Sequence, residues 1–261
     1  MPTNSVEDYY TICIFILLIS SIVHVLEFIF IPTKFSRLVY FCPPGRHFYW
    51  FWNSVAFRRG FHIVVLALIV YLLWSKKNTY EFALGFTIFA MLMLFSYSNR
   101  SIGRDGSDQV RMLGIFSFAI CSWLPSNCGP IIAMYFMAGQ FLIAYTTTSV
   151  AKLCSSHWRT GNVIADIFST KSYGNVTIAR LLRNHSWLER LVSHSSIGIM
   201  LSVPIAFLLP YQSLLIASLT GIFLFHLTTG YIMGLNDFVF TFPLAAPTLL
   251  AAQGHNYGLI F

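Results

Sequence analysis

Long apolar stretches dominate this chain, and its polar residues gather in the short intervals between them. An apolar run of about 16 to 22 residues matches the length of helix that crosses roughly 30 Å of hydrocarbon. Eight such runs stand out, roughly 10–31, 60–75, 82–98, 109–125, 129–150, 191–209, 212–233 and 236–252. None alternates as a membrane barrel strand does, so backbone hydrogen bonds must close inside helices. The predicted fold is all-α, a polytopic membrane helix bundle of about eight spans making one domain over 1–261. Two intervals read as amphipathic interfacial segments: 46–59, rich in aromatic residues between basic ends, and 158–190. Within the latter, one helical pattern runs from Trp158 to about Phe168 and another from about Val176 to Leu191. Tight turns at 125–130 and 210–212 make the spans they join antiparallel neighbours.

Composition agrees. The chain is 56% hydrophobic and 10% charged, against roughly one-quarter charged in soluble domains. An integral protein of a cell membrane, plasma or inner, is expected, with the lipid bilayer as its constant partner. A net charge of +7 does not point to nucleic acid, because the location of the cations carries the information. Fourteen of the sixteen lysines and arginines fall in the first loop, in the segment around 99–111 and in the long 151–190 segment, and only Lys76 and Lys77 fall elsewhere. The positive-inside rule then places both termini outside. The acidic start MPTNSVEDYY lacks a basic n-region, so the first run reads as a retained span. The five cysteines show no metal-binding spacing and are assigned to packing; no metal is expected.

Against this apolar background, a few polar residues become candidates for chemistry. Lys152 closes the fifth run, with Tyr145, Thr148 and Ser149 seven, four and three residues before it on one helical face. Such a lysine snorkels to water, pairs with an acid, or becomes a neutral amine able to accept a proton. His24 and Glu27 lie three apart in the first run; they suit either a polar clamp between helices or a proton site. His226 in the seventh run suits either a hydrogen-bonded core position or a site. Asp108, ahead of Gln109 and an apolar run, fits a helix N-cap, while the glycine-flanked acids Asp105 and Asp108 also suit substrate positioning. The tryptophans fall at predicted boundaries, as interface anchors do. No zincin, P-loop, GxSxG or clustered histidine motif is present.

Four blocks in order carry a resemblance: Ser98-Asn99-Arg100 with Gly106-Ser107-Asp108; Tyr145 to Gly161 with its Lys-Leu and Trp-Arg-x-Gly; Trp187-Leu188 leading to Phe207-LL-Pro210; and Phe225-His226-Leu227 followed by Met233-Gly234-Leu235 and Phe238. Together they resemble the HTTM family, the membrane domain related to vitamin K-dependent gamma-carboxylase. The resemblance implies that Lys152, matching the lysine of the Lys-Leu motif, deprotonates reduced vitamin K or another quinone. No motif places that enzyme's carbanion-stabilising histidine.

The first functional reading is a peptide- or substrate-modifying enzyme of carboxylase or lyase type, with Lys152 as general base and His226 and Glu27 as further catalytic candidates. Tyr145, Thr148, Trp158 and His24 would bind the cofactor, and Asp105, Asp108 and Arg100 the substrate, which would be a small peptide. The alternative is a non-catalytic maturation or assembly partner of a secreted or membrane-active peptide. A transporter with a wet path past Glu27, Lys152 and His226 ranks below both, because no internal repeat is evident.

Overall fold

The computed structural model describes residues 6–31, 54–77, 79–100, 105–170 and 174–258. Among the described residues every regular element is helical. Six helices are long and apolar enough to cross a membrane: α1 (Val6–Phe30), α2 (Val55–Trp74), α3 (Tyr80–Ser98), α5 (Gly129–Cys154), α9 (Ser186–Phe207) and α10 (Gln212–Met233). The multipass membrane character follows from their composition and from the apolar surface they present. Ile19, Ile63, Val64 and Met91 are all exposed, as suits side chains that face lipid.

Two of the expected spans take other forms. The fourth is α4 (Gly106–Cys121), whose 16 residues reach about 24 Å. The eighth is broken into α11 (Asn236–Thr241), a 3-10 turn (Phe242–Leu244) and α12 (Ala245–Asn256). Pro243 lies in the first turn of the 3-10 segment; it has no N–H to give to the α-helical ladder, which favours a break there. The long interval also divides differently. Its helices are α6 (Ser156–Thr160), α7 (Ile164–Phe168) and α8 (Val176–Asn184), and the segment from Ser186 already belongs to α9. Most of the expected interfacial stretch 46–59 lies outside the described residues, and its end forms the first turn of α2.

The chain forms two compact units, Val6–Ala133 and Met134–Phe261. In the first, α1 packs on α2 and α4, and α3 packs on α2 and α4, closing a four-helix ring. Its centre is filled by Leu17, Ile69, Phe86, Phe89 and Phe118. Both ends of α4 lie beside ends of α3. Arg100, just past α3, pairs with Asp108 at 2.7 Å, while Trp123, just past α4, donates to Thr87 at 2.8 Å and meets the Tyr80 ring at 5.3 Å. Lys77 donates to the Leu72 carbonyl at 2.6 Å and lies over the Phe15 and Phe82 rings. Partial burial holds its pKa below the ordinary lysine value.

In the second unit α10 packs along α9 and against α11 and α12. Gly234 adopts φ 70° and ends α10, a backbone conformation that a Cβ makes costly. The broken segment then runs back along α10. Near its end Gln253 donates to the Ala206 and Leu209 carbonyls at 3.0 and 2.8 Å, satisfying the open end of α9. Beside α9, α7 and α8 pack through Ile164, Ala165 and Leu182, with Trp158, Ile178 and Leu188 against them.

Candidate functional site

Lys152 lies in the last turn of α5 and is half buried. Its Nζ is 3.3 Å from Met200 Sδ and 3.5 Å from Ser196 Oγ, both on α9. The amine also sits 4.2 Å above the Trp158 ring centre and 5.9 Å from that of Phe225. Among the described residues no carboxylate forms an ion pair with it. Of the three fates open to such a lysine, pairing with an acid is therefore not the one adopted there.

The surroundings are built by α9. Glu189, Ser193, Ser196 and Met200 recur at helical spacing and share a buried face. Glu189 accepts the Ala165 N–H at 2.8 Å, fixing the start of α7. Ser193 Oγ donates to the Trp158 carbonyl at 3.1 Å, and Ser196 Oγ donates to the Ser193 carbonyl at 2.8 Å. The tryptophan under the amine is thus held by the same helix that supplies the hydroxyl and the thioether. Gly161 closes this arrangement at φ 75°, where a Cβ would stand 2.7 Å from Arg190 Cα. The glycine of the Trp-Arg-x-Gly sequence is required both for its backbone conformation and for close approach.

The stripe expected on α5 divides. Tyr145 and Ser149 are buried, whereas Thr148 is exposed. Ser149 donates to the Tyr145 carbonyl at 2.6 Å, a bond within its own helix. The Tyr145 hydroxyl is buried with no hydrogen-bond partner among the described residues, and its ring lies 6.4 Å from that of Phe242.

His226 is buried on α10, and neither ring nitrogen has a hydrogen-bond partner among the described residues. Its ring stacks on Phe242 at 4.0 Å and contacts Phe225 at 5.4 Å. It lines a cavity of about 220 Å3 whose other walls are almost wholly apolar, including Leu219, Ile222, Phe223 and Phe242.

The remaining candidates fall in the first unit. His24 is buried, with Nδ1 2.8 Å from Arg111 Nη2. A guanidinium only donates, so His24 accepts there and its Nδ1 bears no proton. Arg111 also reaches Ser20 Oγ at 3.3 Å and pairs with Asp108. The carboxylate of Asp108 is thereby shared between Arg100 and Arg111, all three buried. The N-cap of α4 is Asp105, not Asp108: its side chain accepts the Ser107 and Asp108 N–H groups at 2.9 and 3.1 Å. Asp108 sits one turn inside instead, because the cap shifts to the acid that can reach two open N–H groups. Glu27, three residues from His24, is exposed.

Ser196, Met200 and Phe242 were missed by sequence reasoning, as was Arg111 as a partner of Asp108, and Phe225 entered only through the block that carries the resemblance. The recurring Glu189, Ser193, Ser196 and Met200 positions were a usable signal, since small polar residues on one face of a span mark a helix contact. No family model, no curated protein and no solved structure matches the chain.

Proposed function

We propose that this chain is an eight-pass membrane protein of the HTTM type in which Lys152 serves as a general base towards an apolar, acidic hydroxyl compound, with a reduced quinone as the cofactor implied by the resemblance. The observation that carries the reading is the setting of the Lys152 amine: a hydroxyl, a thioether and two aromatic rings, with no carboxylate paired to it among the described residues. These groups suit an apolar ring, which Trp158 and Phe225 would flank. A bound reduced quinone would supply an ionisable hydroxyl and reducing electrons.

The chain's own contribution is to hold one amine in place. Uncharged, the nitrogen of Lys152 takes the proton through its lone pair, and the ammonium so formed is stabilised over Trp158. Ser196 orients the amine. Of the cofactor-binding set drawn from sequence, Trp158 fits this picture. Tyr145 packs on Phe141 and Phe242 instead, Thr148 is exposed, and His24 is engaged by Arg111 in the first unit. A small peptide remains the substrate class of this proposal.

The ring of Trp158 also favours a second reading, in which Lys152 is a permanent cation pinning α5 to α6 in a non-catalytic maturation or assembly partner. Two substitutions separate the readings in a strain lacking the gene. Arginine retains a cation over the ring but cannot act as a base near neutral pH. The base reading expects loss of complementation in both Lys152→Met and Lys152→Arg at normal protein levels. Retention by Lys152→Arg would leave the pinning role.

A further inference from the structure

We infer that the end of α6, where it meets the first two turns of α9, binds the headgroup of an anionic phospholipid, with Arg159 and Arg190 on its phosphate. This surface does not depend on the role proposed for Lys152.

Backbone contacts bring the two arginines together. His194 Nδ1 lies 2.7 Å from the Arg190 carbonyl oxygen and its Nε2 lies 3.1 Å from that of Arg159, so one imidazole bridges both. Ser193 holds the Trp158 carbonyl beside them. The stem of Arg190 packs against Gly161, where a Cβ would stand 2.6 Å from its Cγ. Both arginines are exposed, and neither forms an ion pair among the described residues. The two acids between Lys152 and Arg190 are engaged elsewhere: Asp166 pairs with Arg183 at 3.2 Å, and Glu189 accepts the Ala165 N–H at 2.8 Å. Among the described residues the patch thus carries two guanidinium groups and no opposing carboxylate.

Position along the span decides what meets this charge. The 22 residues of α9 make about 33 Å of helix, against about 30 Å of hydrocarbon. Its first turns therefore sit at headgroup level when the rest of the helix crosses. Trp187, Arg190, Leu191 and His194 follow at i, i+3, i+4 and i+7 and share one exposed face. Trp187 and Leu191 are 66% and 55% exposed, and an apolar pair next to the arginines suits the acyl end of a lipid, with the tryptophan at the interface. A soluble phosphate would leave that pair uncovered.

Guanidinium forks bind phosphate oxygens through paired N–H groups. Two of them without a counter-ion favour a headgroup whose phosphate charge is uncancelled over one that carries its own ammonium. Phosphatidylglycerol is a headgroup of the first kind and phosphatidylcholine of the second.

The test uses the full chain in nonionic detergent, with these two lipids on the same acyl chains and inorganic phosphate as probes, read by thermal stabilisation. Phosphatidylglycerol should stabilise saturably at concentrations at least tenfold below those for phosphatidylcholine, and inorganic phosphate should have no effect in that range. The double variant Arg159→Gln, Arg190→Gln should cut the preference at least fivefold. Removing the same charge from α8, in Arg180→Gln with Arg183→Gln, should leave it within twofold of native. Arg159→Gln alone, a change at an exposed side chain, should cut the preference at least twofold and serves should the first double variant fail to fold. Equal potency of the two lipids, equal stabilisation by inorganic phosphate, a preference that survives loss of Arg159 and Arg190, or an equal loss in both double variants would each overturn the assignment.

Discussion

The Lys152 amine stands 4.2 Å above the centre of the Trp158 ring, and the main chain of that tryptophan is tied to α9 through Ser193. The two residues are six apart in sequence, but the turn at Ser155 between α5 and α6 brings the ring back under the amine. Trp158→Leu should therefore free the lysine head, whereas Trp158→Phe should retain most of the contact, since such contacts are worth about 0.5 to 2 kcal/mol. Mass spectrometry of Lys152 after brief acylation in membranes checks this. Faster modification in the leucine variant alone is expected.

Gly161→Ala should destabilise the second unit by about 1 to 3 kcal/mol, the cost of a side chain in the left-handed region, before the clash with Arg190 is added. Gly198 on α9 has open space around its Cβ position. Gly198→Ala is the matched control and should be neutral or mildly stabilising. Thermal unfolding in detergent compares them, and equal midpoints would contradict the close approach.

Removing the carboxylate charge with Asp108→Asn leaves Arg100 and Arg111 without their shared anion in a buried setting, and a loss of about 3 to 5 kcal/mol is expected. Asp105→Ala, which removes only a helix cap, should cost about 1 kcal/mol. Chemical denaturation of the two variants side by side should show the larger loss at position 108.

The number of passes is open to a two-site labelling experiment. If α4 crosses with the others, Ser75 and Ser156 lie on opposite sides of the membrane; if only the six long helices cross, they lie on the same side. Single-cysteine variants at these positions, in a chain with its native cysteines replaced, should label with an impermeant maleimide from opposite faces. The cation distribution expects Ser156 on the cytoplasmic side.

Much of the scaffold was legible because its signal is local. An apolar run must satisfy its backbone within itself, so α1, α3, α5 and α10 were readable from composition and length alone. The eighth run looked equally continuous, since Pro243 and Pro247 are uncharged and stand singly among apolar residues, yet the first of them lies in a 3-10 turn. The end of the fifth run was also legible as a place for chemistry, from one lysine followed by tryptophan and glycine. What surrounds that lysine was not, because Ser196 and Met200 come from a helix more than forty residues away.

The sequence by itself determined that this is a helical membrane protein, where most of its helices lie, that Lys152 and His226 are out of place in apolar runs, and that Asp108 stands at a helix entry. Only the tertiary structure decided their fates. Asp108 is shared by two arginines, Lys152 rests on Trp158 against α9, and His226 faces an apolar chamber with no partner among the described residues. Helix formation is governed by neighbours within one or two turns, whereas the partner of a polar group inside a span is set by which helices pack together. That choice leaves no imprint on the pattern of any single run.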